Sequence, residues 1–344
     1  MAETVRRVGG EFGVNSVTQG RQGDQAVARL PNGGFVVAWT DSSRIGADRD
    51  ESAIKAQIFD AGGTKIGGEF TVNAFIRGGQ TWPSVVALPD GSFLVTWTTG
   101  WPDPADGGDG SGSAVKGRLF NPDGNPLGDE FPINNEAPLD QDFSFAYASN
   151  SAAFTVMWQS DTPSGEADIK SRRFDSTGAQ RESEIYVTET FAGSEVEPAG
   201  VRLYPGRDVI VWTDGNSSGG DIKARFISSQ GFGSAGRGTG PEFLVNSVLD
   251  GAQGQPDVAA LPNGGFVVTW ASLEGDLYLA KAQVFAADGS RAGEEILLSQ
   301  AGHSIASPTV VEFGTGDFFI AWVDLDTTVT PPGGAAVLGQ YFNA

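Results

Sequence analysis

Apolar and polar residues alternate along this chain in short bursts, broken every few residues by Gly, Pro, Asn or Asp. No segment holds a 3.6-residue apolar period for more than a turn or two, so the pattern predicts strands and turns instead of helices. Residues 84–134 give the unit. Ser84–Pro89 (SVVALP) and Ser92–Trp97 (SFLVTW) read as two strands joined at Asp90-Gly91, where Gly supplies the positive φ of a tight hairpin. Ala114–Phe120 (AVKGRLF) reads as a third strand and Glu130–Asn134 (EFPIN) as a fourth. SFLVTW is nearly all apolar, so both its faces are expected to be buried.

The unit recurs. GGEFGVN at Gly9 returns as GGEFTVN at Gly67, GDEFPIN at Gly128, ESEIYVT at Glu182, GPEFLVN at Gly240 and GEEILLS at Gly293. Runs ending in Trp39, Trp97, Trp158, Trp212, Trp270 and Trp322 follow in turn. Asn15–Trp39 and Asn246–Trp270 agree at 17 of 25 positions, which makes duplication the simple origin. Six four-stranded antiparallel units of about 52–61 residues predict an all-β, six-bladed β-propeller, one domain over residues 1–344. The chain opens on a fourth-type strand and closes on a third-type strand, Val337–Phe342. Residues 11–15 are therefore expected to complete the blade formed by 305–344, closing the ring and removing an exposed sheet edge.

Within each unit the connection from the second to the third strand is the one whose length varies freely, and variable loops on a rigid scaffold carry function. In a propeller these loops share a face with the links between blades. The chain has 22 Lys+Arg against 43 Asp+Glu, a net charge of −21, and about twenty of those charges fall in the loops of that one face. Such a field attracts cations or a cationic partner and repels polyanions, so no nucleic-acid partner is expected. Solubility alone would also account for acidic loops, though not for their segregation. With no Cys and one His, His303, thiol chemistry, disulfides and His-rich metal sites are excluded. No apolar run approaches 18 residues, so membrane insertion is not expected. No apolar stretch follows Arg6-Arg7, so no cleaved N-terminal signal is expected either. A monomer is the expected state.

Three chemistries are open to the loop face. Ca²⁺ takes carboxylate and carbonyl oxygens from Gly-rich loops, and Asp106 with Asp109, Asp161 with Asp168, and Asp214 with Asp221 bracket such loops. Ordinary Asx-stabilised turns account for the same residues. Asp24, Asp142 and Glu197 share one register just before the first strand of their units, with Asp140 and Glu195 two residues earlier. Carboxylates ringing a channel mouth suit glycoside hydrolysis, and they equally suit binding of water or a cation. Trp82, Trp101 and Tyr278 depart from the repeat and are candidate ligand contacts, whereas the six repeated Trp are packing residues.

The succession G-x-E-F-x-V-N, V-A-x-L-P-x-G-G-F-V-V-x-W and I-K-A-Q-x-F-D-A-x-G resembles repeats in large secreted bacterial RTX or hemolysin-type calcium-binding proteins and adhesins. Of the family's D-G-S-G element, Asp109–Gly112 survives. The resemblance implies calcium as a cofactor and an extracellular or cell-surface place on a bacterium. The favoured expectation is a non-enzymatic binding or adhesion module that holds a glycan or cell-surface protein, with a carboxylate-dependent glycan hydrolase at the channel mouth as the alternative. A structural spacer within a larger surface protein is the third reading.

Overall fold

A computed structural model describes residues 12–46, 50–100, 110–135, 139–150, 153–189, 193–203, 206–215, 219–228, 240–299, 303–325 and 336–343. Blade 1 comprises strands Gln22–Arg29, Phe35–Asp41, Ala53–Phe59 and Lys65–Thr71, called a to d in that order. Blade 2 comprises Gln80–Ala87, Phe93–Thr99, Ala114–Phe120 and Phe131–Pro132, and blade 3 Gln141–Asn150, Ala153–Asp161, Ala167–Asp175 and Ile185–Tyr186. Blade 4 comprises Glu195–Leu203, Arg207–Asp214, Asp221–Ser228 and Phe243–Leu244. Blade 5 comprises Gln253–Ala260, Phe266–Glu274, Leu277–Phe285 and Ile296–Leu297, and blade 6 Ile305–Glu312, Phe318–Asp324 and Ala336–Phe342. The ladders are antiparallel and run a–b–c–d. This is the six-bladed propeller that the repeats predict.

The apolar b strands form the middle of each blade. Phe93–Thr99 is buried at every residue. Its side chains face both neighbours, so the cores lie between blades: Ile54, Ala56 and Ile58 of blade 1 meet Phe93, Val95 and Trp97 of blade 2. The same joint recurs between blades 4 and 5 around Trp270. Trp97, Trp158, Trp212 and Trp270 are almost fully buried, and removing a core Trp of this kind costs about 3–5 kcal/mol. Strand a of each blade packs on strand a of the next from blade 1 round to blade 6, which places these strands around the axis.

Polar contacts lock one blade to the next. The strand-d Glu of a blade accepts a backbone N–H from the segment leaving the blade before it: Ser16 N–H meets Glu69 at 2.5 Å and Ala74 N–H meets Glu130 at 2.9 Å. Asn135 with Glu184, Glu189 with Glu242 and Ser247 with Glu295 repeat the contact. The strand-c Lys pairs within its own blade, Lys116 Nζ lying 2.8 Å from Glu130 Oε1 and Lys223 Nζ 3.3 Å from Glu242 Oε2.

Strand d is shorter than expected, two residues in blades 2–5. Strand a begins earlier, at Gln80 instead of Ser84 in blade 2, because it continues through a bulge. The ring-closing segment lies partly outside the described residues, since Glu11 is not among them. Phe12 sits 5.5 Å from Phe59 of blade 1, just as Phe70 sits 5.5 Å from Phe120 of blade 2. Phe12–Asn15 thus lies against blade 1 as each strand-d segment lies against the following blade. Among the described residues, strand c of blade 6 forms its ladder with strand b alone. The joint between blades 6 and 1 is also the more open one: Val27 is 67% exposed, whereas its counterpart Val85 at the joint of blades 1 and 2 is 8% exposed.

Candidate functional site at the channel mouth

Each strand a carries a bulge near its start, between Gly23 and Ala26 in blade 1 and between Thr81 and Ser84 in blade 2. Blades 4, 5 and 6 repeat it. One residue in every bulge adopts a left-handed backbone: Asp24 (φ 53°), Trp82 (50°), Phe143 (48°), Glu197 (57°), Gln255 (55°) and Ser307 (50°). For a non-glycine residue that conformation costs about 1–2 kcal/mol. A bulge re-aims a side chain, and backbone strain of this kind gathers at functional sites. Because the bulges stand at the loop-face end of the axial strands, the six side chains ring the mouth of the channel.

Neighbours around the ring touch. Trp82 and Phe143 stack with ring centroids 4.1 Å apart and planes inclined by 28°. They remain 38% and 39% exposed, a two-ring apolar shelf open to solvent. Glu197 Oε2 accepts from Gln255 N–H at 2.6 Å and from Thr213 Oγ1 at 2.9 Å. Gln255 Oε1 accepts from Ser307 N–H at 2.7 Å. Asp24 completes the circle on the far side of Trp82 and is exposed. Two carboxylates, Asp24 and Glu197, therefore flank the aromatic shelf.

This arrangement corrects the expected register. Asp142 does not stand with Asp24 and Glu197; Phe143 does. Asp142 pairs across the sheet with Gln159, as Thr81 pairs with Thr98 one step before the bulge residue. The physical marker is Gln141, whose counterparts Gln22, Gln80 and Gln253 each lie two residues before a mouth residue and seven after an Asn. Asn134 Nδ2 donates to Gln141 Oε1 at 2.8 Å, and Asn73 to Gln80 at 3.1 Å. Counting from that Asn finds Phe143, which the sequence reading missed.

Asp142 turns towards Asp161 and Asp140 beside the shelf. Burial, then the charges of Asp161 and Asp140, push its carboxyl up to about 7. Burial and Asp140 also raise Asp161. Asp140 is fixed by Ser113 N–H, 2.7 Å from its Oδ1. A second acidic pair lies deeper. Glu195, fully buried, takes the position that Gln holds in blades 1, 2, 3 and 5 and is hydrogen-bonded to Asp168 of blade 3. Burial, then that bond and the charge of Asp168, push Glu195 up to about 9. Burial likewise raises Asp168.

The remaining candidates are placed apart. Asp214 and Asp221 face each other across the hairpin, but Asp214 is ion-paired with Lys223 and Asp221 accepts from Asn246 Nδ2 at 2.8 Å. Among the described residues, no group of three or more His, Cys, Asp and Glu is arranged to hold a metal ion. Asp106, Asp109 and Trp101 lie outside the described residues. Tyr278 is exposed on the blade 5 hairpin, its N–H 3.2 Å from Ser304 Oγ, and is separated from Trp82 by half the ring. His303 Nδ1 lies 2.9 Å from Asp324 Oδ2 in blade 6.

No family model matches the chain, and no curated protein matches it. Solved structures do share its fold. A protein of unknown function from Dyadobacter fermentans is 14% identical, with a TM-score of 0.65 over 95% of this chain and 96% of its own. An α-L-arabinanase of Penicillium chrysogenum complexed with arabinobiose is 15% identical, with a TM-score of 0.59 over 92% of each chain. A GH93 α-L-arabinofuranosidase of Fusarium graminearum, also with arabinobiose, is 13% identical, with a TM-score of 0.59 over 93% and 92%. At these identities the likeness is one of fold.

Proposed function

We propose that this propeller is a carboxylate-dependent glycan hydrolase working at its channel mouth. One observation carries the reading: the stacked Trp82–Phe143 shelf, open to solvent, is flanked around the ring by Asp24 and Glu197. Sugar rings present flat C–H faces that pack on aromatic rings, and glycosidic bonds are cleaved by pairs of carboxyl groups. Similar propellers whose names make them arabinan-acting enzymes, crystallised with arabinobiose, support a glycan as the class of ligand. Asp142, adjoining the shelf and pushed up to about 7, keeps its proton close to neutrality and is the candidate acid. In this scheme the Asp142 proton passes to the glycosidic oxygen as the C–O bond breaks. Glu197 takes a proton from the water that attacks the anomeric carbon, and Asp24 lines the other side of the shelf.

The test is release of new reducing ends from arabinan and other neutral polysaccharides by the purified chain. Turnover should fall by about 10²-fold or more in Asp142→Asn and in Glu197→Gln, each still folded. A second reading has one observation behind it. Glu197 already accepts from Thr213 and Gln255, which suits a positioning role in a mouth that binds without cleaving. Glycan retained on immobilised protein with no new reducing ends would replace the hydrolase with that binding module.

A further inference from the structure

We propose that the channel mouth selects amine-bearing glycans and rejects acidic ones. This rests on the reading that the mouth holds a sugar, and adds the charge which that sugar carries. Asp24 and Glu197 flank the shelf, and beside Phe143 Asp142 stands close enough to Asp161 and Asp140 for their charges, after burial, to disfavour its ionisation. On the side of blades 3 to 6 the loop sequence supplies no Lys or Arg to answer them. The loop-face segments 134–142, 161–168, 188–197, 214–221, 246–255, 274–279 and 299–307 contain no Lys and no Arg. By sequence, the arginines of the loop-face segments, Arg21, Arg44, Arg49 and Arg77, fall in the second-to-third-strand loop of blade 1 and in its two links.

The strand-c lysines of blades 2 to 5 do not fill the gap, because carboxylates already hold them. Lys116 is with Glu130 at 2.8 Å, Lys170 with Glu184 at 3.7 Å, Lys223 with Asp214 and Glu242, and Lys281 with Glu274 and Glu295. A uronate, sialate or sulfate seated on the shelf would lose water beside like charges and find no counter-charge on the side of blades 3 to 6. An ammonium in the same place would face several carboxylates at once, with aromatic faces beneath it. Glucosamine-type sugars with free amines have that chemistry.

The experiment is calorimetry on the full chain with four oligosaccharides of equal length: glucosamine, its N-acetylated counterpart, a neutral arabino-oligosaccharide and an oligogalacturonate. At low salt the glucosamine oligomer should bind about fivefold tighter than the N-acetylated one, or more, and the oligogalacturonate should be weakest. Raising ionic strength from about 0.01 to about 0.15 M should shrink that preference as screening shortens. Asp24→Asn should reduce the preference for the glucosamine oligomer over the N-acetylated one, with an unchanged melting temperature showing that the fold persists. Equal or tighter binding of the N-acetylated or acidic oligomer overturns the inference and leaves the glycan reading standing. Binding of none of the four overturns both.

Discussion

Glu195 of blade 4 and Gln253 of blade 5 occupy equivalent positions, two residues before a mouth residue, and meet the same requirement by different means. Gln253 uses both halves of its amide. Its Nε2 donates to the carbonyls of Asp250 and Gly251 at 3.3 and 3.2 Å, and its Oε1 accepts from Trp270 Nε1 at 3.2 Å. A neutral group that donates and accepts is what the buried site takes. Glu195 has no N–H to offer, so it serves there as a protonated acid bonded to Asp168 of the neighbouring blade. The amide at one position carries no titrating proton, whereas the acid at the other does.

The largest expected effect comes from breaking that difference in blade 5. Gln253→Glu would set a carboxylate against two carbonyl oxygens, at a cost of about 3 kcal/mol at pH 8. The loss should be smaller at pH 5, where the new acid can stay neutral. Denaturant unfolding at the two pH values checks this, and equal losses would show that the amide's donors do not matter.

Next comes the converse, Glu195→Gln. The folded value of about 9 lies above the unfolded one of about 4.3, so the stabilisation is fully present below about pH 4.3 and is lost as pH rises through 9. One such proton gives a slope of up to about 1.4 kcal/mol per pH unit. Asp142, at about 7, has finished titrating at the upper end of that range. Stability of the parent chain should therefore still fall between pH 7.5 and 9, and in Glu195→Gln it should level out. A parallel decline in both proteins would locate the titration elsewhere.

The smallest effect on folding is expected two residues on. Glu197→Gln makes the blade 4 mouth resemble that of blade 5 and keeps an oxygen for Gln255 N–H. Thermal unfolding should register less than about 1 kcal/mol. Glycan turnover should nonetheless drop by about 10²-fold, which separates a carboxyl that serves the fold from one that serves the ligand.

The architecture was legible because six copies of one pattern report the same strands, and because an apolar run such as Phe93–Thr99 fits only the middle of a sheet buried on both sides. The mouth was legible in part. Trp82 stood out as a break in the repeat, and Asp24 and Glu197 fell in register with it. Phe143 did not, because blade 3 lacks the Pro that follows the mouth residue as Pro83, Pro198, Pro256 and Pro308 do, and Ser144 there gives no mark. The Asn–Gln spacing was the better ruler. The Glu195–Asp168 pair could not be read at all, since it joins two blades through a contact that exists only once they pack.

The left-handed bulges have a consequence for redesign. Asp, Trp, Phe, Glu, Gln and Ser all occupy the same backbone geometry, so the frame tolerates very different chemistry in each socket. A library randomised at these six positions would rewrite the lining of the channel while leaving the inter-blade cores untouched. Its alphabet has one restriction: β-branched Val, Ile and Thr fit the left-handed backbone poorly, whereas Gly, Asn and Asp enter it readily. Selection among such variants could therefore change what the mouth recognises one socket at a time, with the propeller carried through as a constant.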